Sequence, residues 1–219
     1  MVGSEQEETM PITTVLFDLG GVACRFVPAR RLALLSANCG LPPAEVHARL
    51  WESGFSHECD LGHFDAGQMY EEARRRIGLT LGYADFCAAW TAAFEPDHAV
   101  LAIADSVAAR CRTAMLTDNP ALLDEALPML LPDVARRFEP RLFSYTLGAC
   151  KPDAEIFRRA LVRLDQQPPN VLLVDDTPAV VEGARAAGLA AVLFTDPPSL
   201  VKDLGQWLPG FHMPARPGE

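Results

Sequence analysis

Five polar residues in the 219-residue sequence have types and positions that suit shared chemistry. Each one lies at the end of a short apolar run or in the loop just beyond it, where a predicted strand ends. They are Asp18, Thr117, Lys151, Asp175 and Asp176. Together they supply a carboxylate nucleophile, a hydroxyl donor, a cation and an acidic pair. These are the side chains that phosphoryl transfer requires.

Each of these residues could instead simply form a turn. Asp18, for example, is followed by Leu19 and two glycines, and an aspartate at the end of a strand often starts a turn. The combination favours a metal centre, because adjacent carboxylates repel each other unless a cation neutralises them. A site rich in carboxylate oxygens favours Mg²⁺. The predicted reaction is an in-line attack by Asp18 on a phosphate, which would form an aspartyl-phosphate.

The predicted secondary structure places these residues on one edge of a sheet. Strand-like runs lie at residues 12–17, 113–117, 142–145, 171–174 and 191–194. From residue 96 onwards strands and helices alternate, which indicates parallel strands joined by right-handed crossovers. The sequence therefore predicts an α/β fold with a doubly wound parallel sheet. Such sheets bind their ligands at the carboxyl ends of the strands.

An insertion interrupts the predicted sheet directly after its first strand. It contains about four helical patterns and a polar loop at residues 53–67, with no strand among them. The last helix is predicted to span residues 83–94. We predict a Rossmann-like core of residues 11–22 and 96–208 and a helical cap of residues 23–95. Because this insert leaves and re-enters the core at the carboxyl edge of the sheet, it is placed to act as a lid.

Composition and charge limit the class of partner and the compartment. The formal charge of −10 argues against nucleic acid or an anionic membrane as a partner, and favours a small phosphorylated metabolite. The six cysteines are scattered, as in a reduced cytoplasmic protein, and no signal peptide or transmembrane run is recognised. Residues 1–10 and 209–219 are predicted to be flexible ends. A monomer and a homodimer both remain open.

The order of the motifs resembles that of the haloacid dehalogenase-like (HAD) hydrolase superfamily. Asp18, Thr117, Lys151 and the pair Asp175 and Asp176 follow one another in the order of its four motifs, and the resemblance covers residues 12–196. The cap, with its turn at residues 59–65, is similar to the bacterial sugar-phosphatase branch. That branch includes glucose-1-phosphate phosphatases and is related to the N-terminal phosphatase domain of soluble epoxide hydrolase.

The resemblance implies a role for each motif residue. Asp18 matches the nucleophile, which is also a metal ligand, and Gly20 matches the position whose backbone carbonyl binds Mg²⁺. Asp176 matches a further metal ligand, with Asp175 beside it as a supporting or additional ligand. Thr117 matches the hydroxyl that holds the phosphoryl group, Lys151 matches the cation of the third motif, and Asp118 is the third predicted substrate-binding residue, although its carboxylate would repel a phosphate unless it is turned away or protonated.

Two positions depart from the family pattern. Most phosphatases of this superfamily carry a general acid/base aspartate where this chain has Gly20, and an asparagine where it has Asp118. Losing such a proton donor commonly lowers the rate ~10²–10⁴-fold. An acid from the cap loop could replace it, the candidates being His57, Glu58, Asp60 and His63, with Asp118 as a further candidate. Otherwise, these cap residues are simply a solvated loop.

Two other functions stay open at this point. A haloacid dehalogenase would use the same aspartate to attack a carbon that carries halogen. Relatives with that activity need no metal and usually carry an aromatic residue at the position of Gly20, so the acidic pair speaks against it. A non-catalytic HAD-fold protein, with a binding or regulatory role, would explain both Gly20 and Asp118.

Overall fold

The computed structural model describes residues 11–213, and its core is a parallel sheet of five strands. The strands are β1 (Thr14–Phe17), β4 (Arg112–Thr117), β5 (Arg141–Phe143), β6 (Val171–Asp175) and β7 (Ala190–Leu193). In space they follow the order β5, β4, β1, β6, β7, so that β1 is central. Phe17 pairs with Met115 on one side and with Val174 on the other. The predicted doubly wound α/β fold is therefore confirmed.

Helices cover both faces of this sheet. They are α6 (His98–Ala108), α7 (Ala121–Leu130), α8 (Pro132–Ala135), α9 (Ser144–Leu147), α10 (Ala154–Leu164), α11 (Pro178–Ala186) and α12 (Pro197–Trp207). Val15 and Phe17 of β1 pack with α6 and α12 on one face, whereas Leu16 packs with α10 and α11 on the other. A strand that is buried on both faces is mostly apolar, which explains the apolar run from Val15 to Phe17 before Asp18.

The insertion is helical, but it begins and ends with strands that were not predicted. Its helices are α1 (Pro28–Ala37), α2 (Pro43–His47), α3 (Phe55–Asp60), α4 (Ala66–Ile77) and α5 (Tyr83–Thr91), with a π-helical turn at Ala48–Glu52. The strands β2 (Cys24–Phe26) and β3 (Phe94–Pro96) pair antiparallel where the chain leaves and re-enters the core. The prediction of a helix through residue 94 is therefore wrong at its end. These three-residue strands are stabilised by each other, and a local sequence pattern does not reveal such pairing.

The predicted polar loop at residues 53–67 is also partly wrong, because it contains helix α3. Gly54, with a φ of +82°, begins this helix, and Phe55 and Cys59 bury their side chains in a separate apolar core of the insertion. That core also contains Leu122 and Ala126 of α7, the helix that follows β4. The insertion therefore packs on the sheet edge where the predicted site residues lie.

The predicted weak strand at residues 142–145 is present as β5, but it ends at Phe143 because α9 begins at Ser144.

Other predictions concern the ends of the chain and membrane-spanning segments. Residues 1–10 and 214–219, part of the predicted flexible ends, lie outside the described residues. Residues 209–213 form no helix or strand, yet Phe211 is buried against the core. Within residues 11–213, no helix has the length and apolar character needed to cross a membrane.

The central strand generates a prediction about stability. We expect Leu16→Ala to lower the free energy of unfolding by ~2–5 kcal/mol, because Leu16 is fully buried and its truncation leaves a cavity. Leu34→Ala is the matched control, since Leu34 is 43% exposed on α1 and its truncation should change stability by less than ~0.5 kcal/mol. Urea unfolding of both variants measures the difference. Equal losses would contradict the assignment of β1 to the centre of the core.

Candidate active site

The candidate site is built around a buried ion pair network at the carboxyl edge of the sheet. Lys151 Nζ donates hydrogen bonds to Asp18 Oδ1 at 2.8 Å and to Asp175 Oδ2 at 2.7 Å. It also approaches the carbonyl oxygen of Leu116 at 3.3 Å. The side chains of Lys151, Asp18 and Asp175 are almost entirely buried. Three residues that the sequence places far apart are thus brought into direct contact.

Burial and charge act in opposite directions on these groups. Loss of water raises the pKa of Asp18 to about 6, because the charge of Lys151 only partly compensates the cost of burial and the charge of Asp175 adds repulsion. Burial also disfavours the charged form of Lys151, but the carboxylates of Asp18 and Asp175 outweigh it. The pKa of Lys151 is therefore raised above its usual range. Lys151 stays positively charged between the two acids.

The two adjacent aspartates at the end of β6 have different surroundings. Asp175 is buried, and its carboxylate accepts hydrogen bonds from Lys151 Nζ and, at 2.9 Å, from the backbone N–H of Thr177. Both of its oxygens are thus engaged with the protein. Asp176 is exposed and lines the cavity above Asp18. Of the two residues predicted to bind the metal, Asp176 has the accessible carboxylate, and Asp175 has the position of a supporting residue.

The residues at this edge fit a magnesium ion. Asp18, Asp176 and Gly20 line one cavity, and their carboxylates and backbone carbonyl are the hard oxygen donors that Mg²⁺ prefers. Gly21, at a φ of +93°, lets the Asp176 carboxylate approach the backbone: a Cβ here would lie 2.1 Å from Asp176 Oδ2. Within the described chain, no group of three or more His, Cys, Asp or Glu side chains could hold a metal ion. Mg²⁺ usually keeps several of its waters and binds through one or two carboxylates, which Asp18 and Asp176 can provide.

Thr117 is held at the end of β4 by residues that the sequence reasoning missed. Asn119 Nδ2 donates to Thr117 Oγ1 at 2.7 Å, and the backbone N–H of Asn119 donates to Ser144 Oγ at 3.1 Å. Because the Thr117 hydroxyl accepts from Asn119, its own hydrogen is available for a ligand in the cavity. The contact between Asn119 and Thr117 could have been suspected because the two residues are close in sequence. The contact between Asn119 and Ser144 of α9 could not, because these residues are far apart in sequence.

A cavity of about 440 Å³ lies over these groups, and residues of the insertion line its other side. The core contributes Asp18, Thr117, Lys151 and Asp176, among others. The insertion contributes Phe26, Arg31, Trp51, Ser56, Asp60, Trp90 and Phe94. The cavity therefore has a charged wall from the core and a largely aromatic wall from the insertion.

The sequence and fold identify the family. A family model described as a haloacid dehalogenase-like hydrolase matches residues 12–188, which is most of the chain. The chain belongs to this family. As a HAD-like hydrolase it is an enzyme of the hydrolase class, and the resemblance drawn from its motifs is confirmed at the level of the superfamily.

Solved structures of HAD enzymes share the fold. A predicted HAD-like family hydrolase from Porphyromonas gingivalis is 25% identical, with a TM-score of 0.74 over 89% of this chain and 98% of that chain. A HAD family enzyme from Bacteroides thetaiotaomicron, in complex with magnesium and inorganic phosphate, is 18% identical, with a TM-score of 0.72 over 84% and 94%. The 2-haloacid dehalogenase from Pseudomonas syringae is 20% identical, with a TM-score of 0.62 over 84% and 86%. The neighbours thus include more than one kind of HAD hydrolase.

A curated relative matches a smaller part of the chain. Acyl-CoA dehydrogenase family member 10 of Mus musculus is 32% identical over 93 residues, which is 42% of this chain and 8% of that protein. The chain therefore spans much less than the length of this relative.

Two aromatic side chains pack closely against Gly20, the first position that departs from the HAD pattern. A Cβ at Gly20 would lie 3.2 Å from Phe94 Cε1 and 3.7 Å from the ring of Phe26. These two rings are in contact across the β2–β3 pair, with their centroids 5.2 Å apart. Aromatic side chains of the insertion thus crowd the place where a side chain at position 20 would begin, so a proton donor has to come from elsewhere.

The second departure, Asp118, contacts the backbone of Lys151 from the edge of the cavity. Its two carboxylate oxygens lie 3.2 and 3.1 Å from the backbone nitrogen of Lys151, which donates to them. Burial raises the pKa of Asp118, although the charge of Lys151 opposes this. Asp118 lines the cavity, as expected of a residue near the substrate. Its contacts also give it a clear second role, which is to hold the loop that carries Lys151.

Only one of the four predicted cap-loop acids lines the cavity. Asp60, the last residue of α3, does so and is partly buried, whereas His57, Glu58 and His63 are exposed and are not part of its lining. Burial raises the pKa of Asp60 well above its usual range, and the nearby charge of Asp118 adds to the effect. The cavity also contains Arg31, a residue for which the sequence gave no signal.

Gly21 generates a prediction about the metal site. We expect Gly21→Ala to weaken Mg²⁺ binding at least tenfold, because the added methyl group displaces the Asp176 carboxylate. The matched control is Gly40→Ala: Gly40 also has a positive φ, +73°, but within the described residues nothing lies within 4 Å of its Cβ position. Both variants should lose ~1–2 kcal/mol of stability through backbone strain, whereas only Gly21→Ala should lose Mg²⁺ affinity in calorimetric titration. Unchanged affinity in Gly21→Ala would remove Asp176 from the metal site.

Proposed function

We propose that the protein is a cytoplasmic, Mg²⁺-dependent hydrolase of small phosphomonoesters in which Asp18 is the nucleophile. The observation that carries this proposal is the bridge of Lys151 between Asp18 and Asp175 at the base of a cavity that Asp176 and Thr117 also line. A phosphate dianion needs added positive charge beside the acids and therefore a metal ion, whereas attack on the carbon of an alkyl halide needs no metal. The cytoplasmic assignment is supported by the six cysteines, all of which are free thiols.

The residues have distinct tasks in this reaction. Asp18 attacks the phosphorus, the bond from phosphorus to the leaving oxygen breaks, and the phosphoryl group is carried as an aspartyl-phosphate until water hydrolyses it. Lys151 reduces the repulsion between the Asp18 carboxylate and the incoming dianion. Thr117 donates its hydroxyl hydrogen to a phosphoryl oxygen. The insertion excludes bulk water, which strengthens each of these interactions.

Asp18, Asp176 and the backbone carbonyl of Gly20 are the groups that would hold Mg²⁺. When bound, this ion would supply positive charge that offsets the negative charge of the phosphoryl group and of the acids around it. The magnesium and inorganic phosphate held by the fold neighbour from Bacteroides thetaiotaomicron are consistent with this proposal.

We further propose that Asp60 protonates the leaving oxygen in place of a residue at position 20. It lines the same cavity as Asp18 but stands on the opposite, insertion side. Burial raises the pKa of the Asp60 carboxyl group well above its usual range, which favours the protonated form that a general acid needs. Gly20 cannot take this role because it has no side chain.

A haloacid dehalogenase is the second candidate function. The fold similarity to the Pseudomonas syringae enzyme favours it. Such a reaction would have Asp18 attack carbon with loss of halide, and it would leave the accessible carboxylate of Asp176 without a task. Release of chloride from 2-chloropropionate in EDTA would support this candidate over the phosphatase.

The main proposal leads to a prediction that a substrate panel tests. We expect the wild-type protein to release phosphate from small phosphomonoesters in Mg²⁺, and to lose this activity in EDTA. Asp18→Asn should lower turnover by at least ~10³-fold because the amide cannot form the acyl-phosphate. Phosphate release is measured for both proteins under both conditions. Hydrolysis by Asp18→Asn at the wild-type rate would disprove the assignment of the nucleophile.

The role of Asp60 predicts a dependence on the leaving group. We expect Asp60→Asn to slow hydrolysis of an alkyl phosphate ~10²–10⁴-fold, because an alkoxide needs a proton to leave. Hydrolysis of p-nitrophenyl phosphate should fall less than tenfold, since nitrophenolate leaves unprotonated. Glu58→Gln, an exposed residue on the same helix, is the control and should change neither rate. An equal loss for both substrates would assign Asp60 a structural role instead.

A further inference from the structure

Arg31 is a buried cation on the insertion side of the cavity. It lies on α1 and is 4% exposed, although it lines the space above Asp18. Its guanidinium carbon is 4.3 Å from the centroid of the Trp90 ring, and three further aromatic rings lie within 6 Å. These belong to Phe26 at 5.7 Å, Trp51 at 5.8 Å and Phe94 at 5.4 Å. Arginine is favoured in such surroundings because its flat cation stacks on aromatic faces.

The hydrogen bonds of Arg31 are incomplete. Its Nε donates to the carbonyl oxygen of Trp90 at 2.7 Å, but Nη2 is buried with no acceptor among residues 11–213. Asp60 is the acid whose charge acts on Arg31, yet among residues 11–213 the two form no ion pair within 4.0 Å. The indole N–H of Trp90 is likewise buried without an acceptor. Two donors beside the cavity therefore lack a partner.

Arg31 carries its charge under these conditions. Burial lowers its pKa to about 9, which still leaves the guanidinium protonated at neutral pH. A buried charge without a counter-ion is costly, and so is a buried donor without an acceptor. Asp60 forms no ion pair with Arg31 that would offset this charge. An anionic oxygen of a bound ligand would both balance the charge of Arg31 and accept a hydrogen bond from its unpaired Nη2.

We propose that Arg31 binds a carboxylate on the leaving group, so that the substrates are small phosphorylated carboxylic acids. This inference rests on the proposed phosphatase function, which assigns the phosphoryl group to the Lys151 end of the cavity. A guanidinium and a carboxylate match in charge and can form paired hydrogen bonds. A second phosphate dianion fits less well, because it carries more negative charge than a carboxylate and Asp118 lines the same cavity. A neutral sugar would leave the charge of Arg31 without a partner.

Matched substrates test this assignment. D-3-phosphoglycerate and glycerol 3-phosphate differ mainly in a carboxylate against a hydroxymethyl group, and we expect the wild type to prefer the former at least tenfold in kcat/KM. Arg31→Met should raise the KM for D-3-phosphoglycerate about 10–100-fold, the usual effect of losing a charged hydrogen bond. The same variant should change kcat/KM for glycerol 3-phosphate less than threefold.

The control is Arg30→Met. Arg30 is the preceding residue on α1, but it is exposed and pairs with Glu95 at 2.8 Å, so its loss should affect the two substrates equally. If Arg31→Met does not fold, Arg31→Lys keeps the charge and loses the fork, and a selective rise in KM for D-3-phosphoglycerate is again expected. Equal wild-type rates on both substrates, or equal losses in the Arg31 variant, would overturn the assignment and leave Arg31 a structural link between α1 and α5.

A binding measurement separates this inference from the proposed function. D-glycerate should raise the Tm of the Asp18→Asn protein and of the same protein with Arg30→Met, but not with Arg31→Met. If no phosphomonoester is hydrolysed and D-glycerate still binds through Arg31, the phosphatase proposal fails and the carboxylate subsite stands. If phosphomonoesters are hydrolysed and D-glycerate causes no Arg31-dependent shift, the subsite fails and the phosphatase proposal stands.

Discussion

The interaction on which the site depends is the salt bridge of one lysine to two buried aspartates. Asp18 and Asp175 end neighbouring central strands, and without a cation between them their charges would repel in a region of low dielectric constant. Lys151 Nζ stands within 2.8 Å of both carboxylates. The loop that carries Lys151 is tied down in turn by Asp118. The base of the cavity is thus a closed set of charges that support one another.

The insertion shapes the rest of the cavity through contacts that begin at its base. The pair β2 and β3 holds its two ends together, and the rings of Phe26 and Phe94 fill the space beside Gly20. A side chain at position 20 would press against these rings, and residues of α1 and α3 line the cavity above Asp18.

Charge is divided unevenly between the two walls of the cavity. The core wall holds Asp18, Asp175 and Asp176 with one lysine, and it suits a phosphoryl group only when a metal cation adds positive charge. The opposite wall holds one arginine among aromatic rings. A ligand with a phosphate at one end and a carboxylate at the other would match this division, which is why we infer that substrate class for the HAD hydrolase.

The sequence alone determined the fold of the core and the set of residues at its edge. Apolar runs that end in Asp18, Thr117 and Asp175 can be read locally, and parallel strands bring their carboxyl ends to one edge whatever the details of packing. The tertiary structure decided what depends on distant contacts. It places the carboxylate of Asp118 at the backbone N–H of Lys151 and brings Asp60, but not its neighbouring candidates, to the cavity. It also buries Arg31 against the ring of Trp90. No local pattern predicts these outcomes, because each depends on which segment of the chain packs against which.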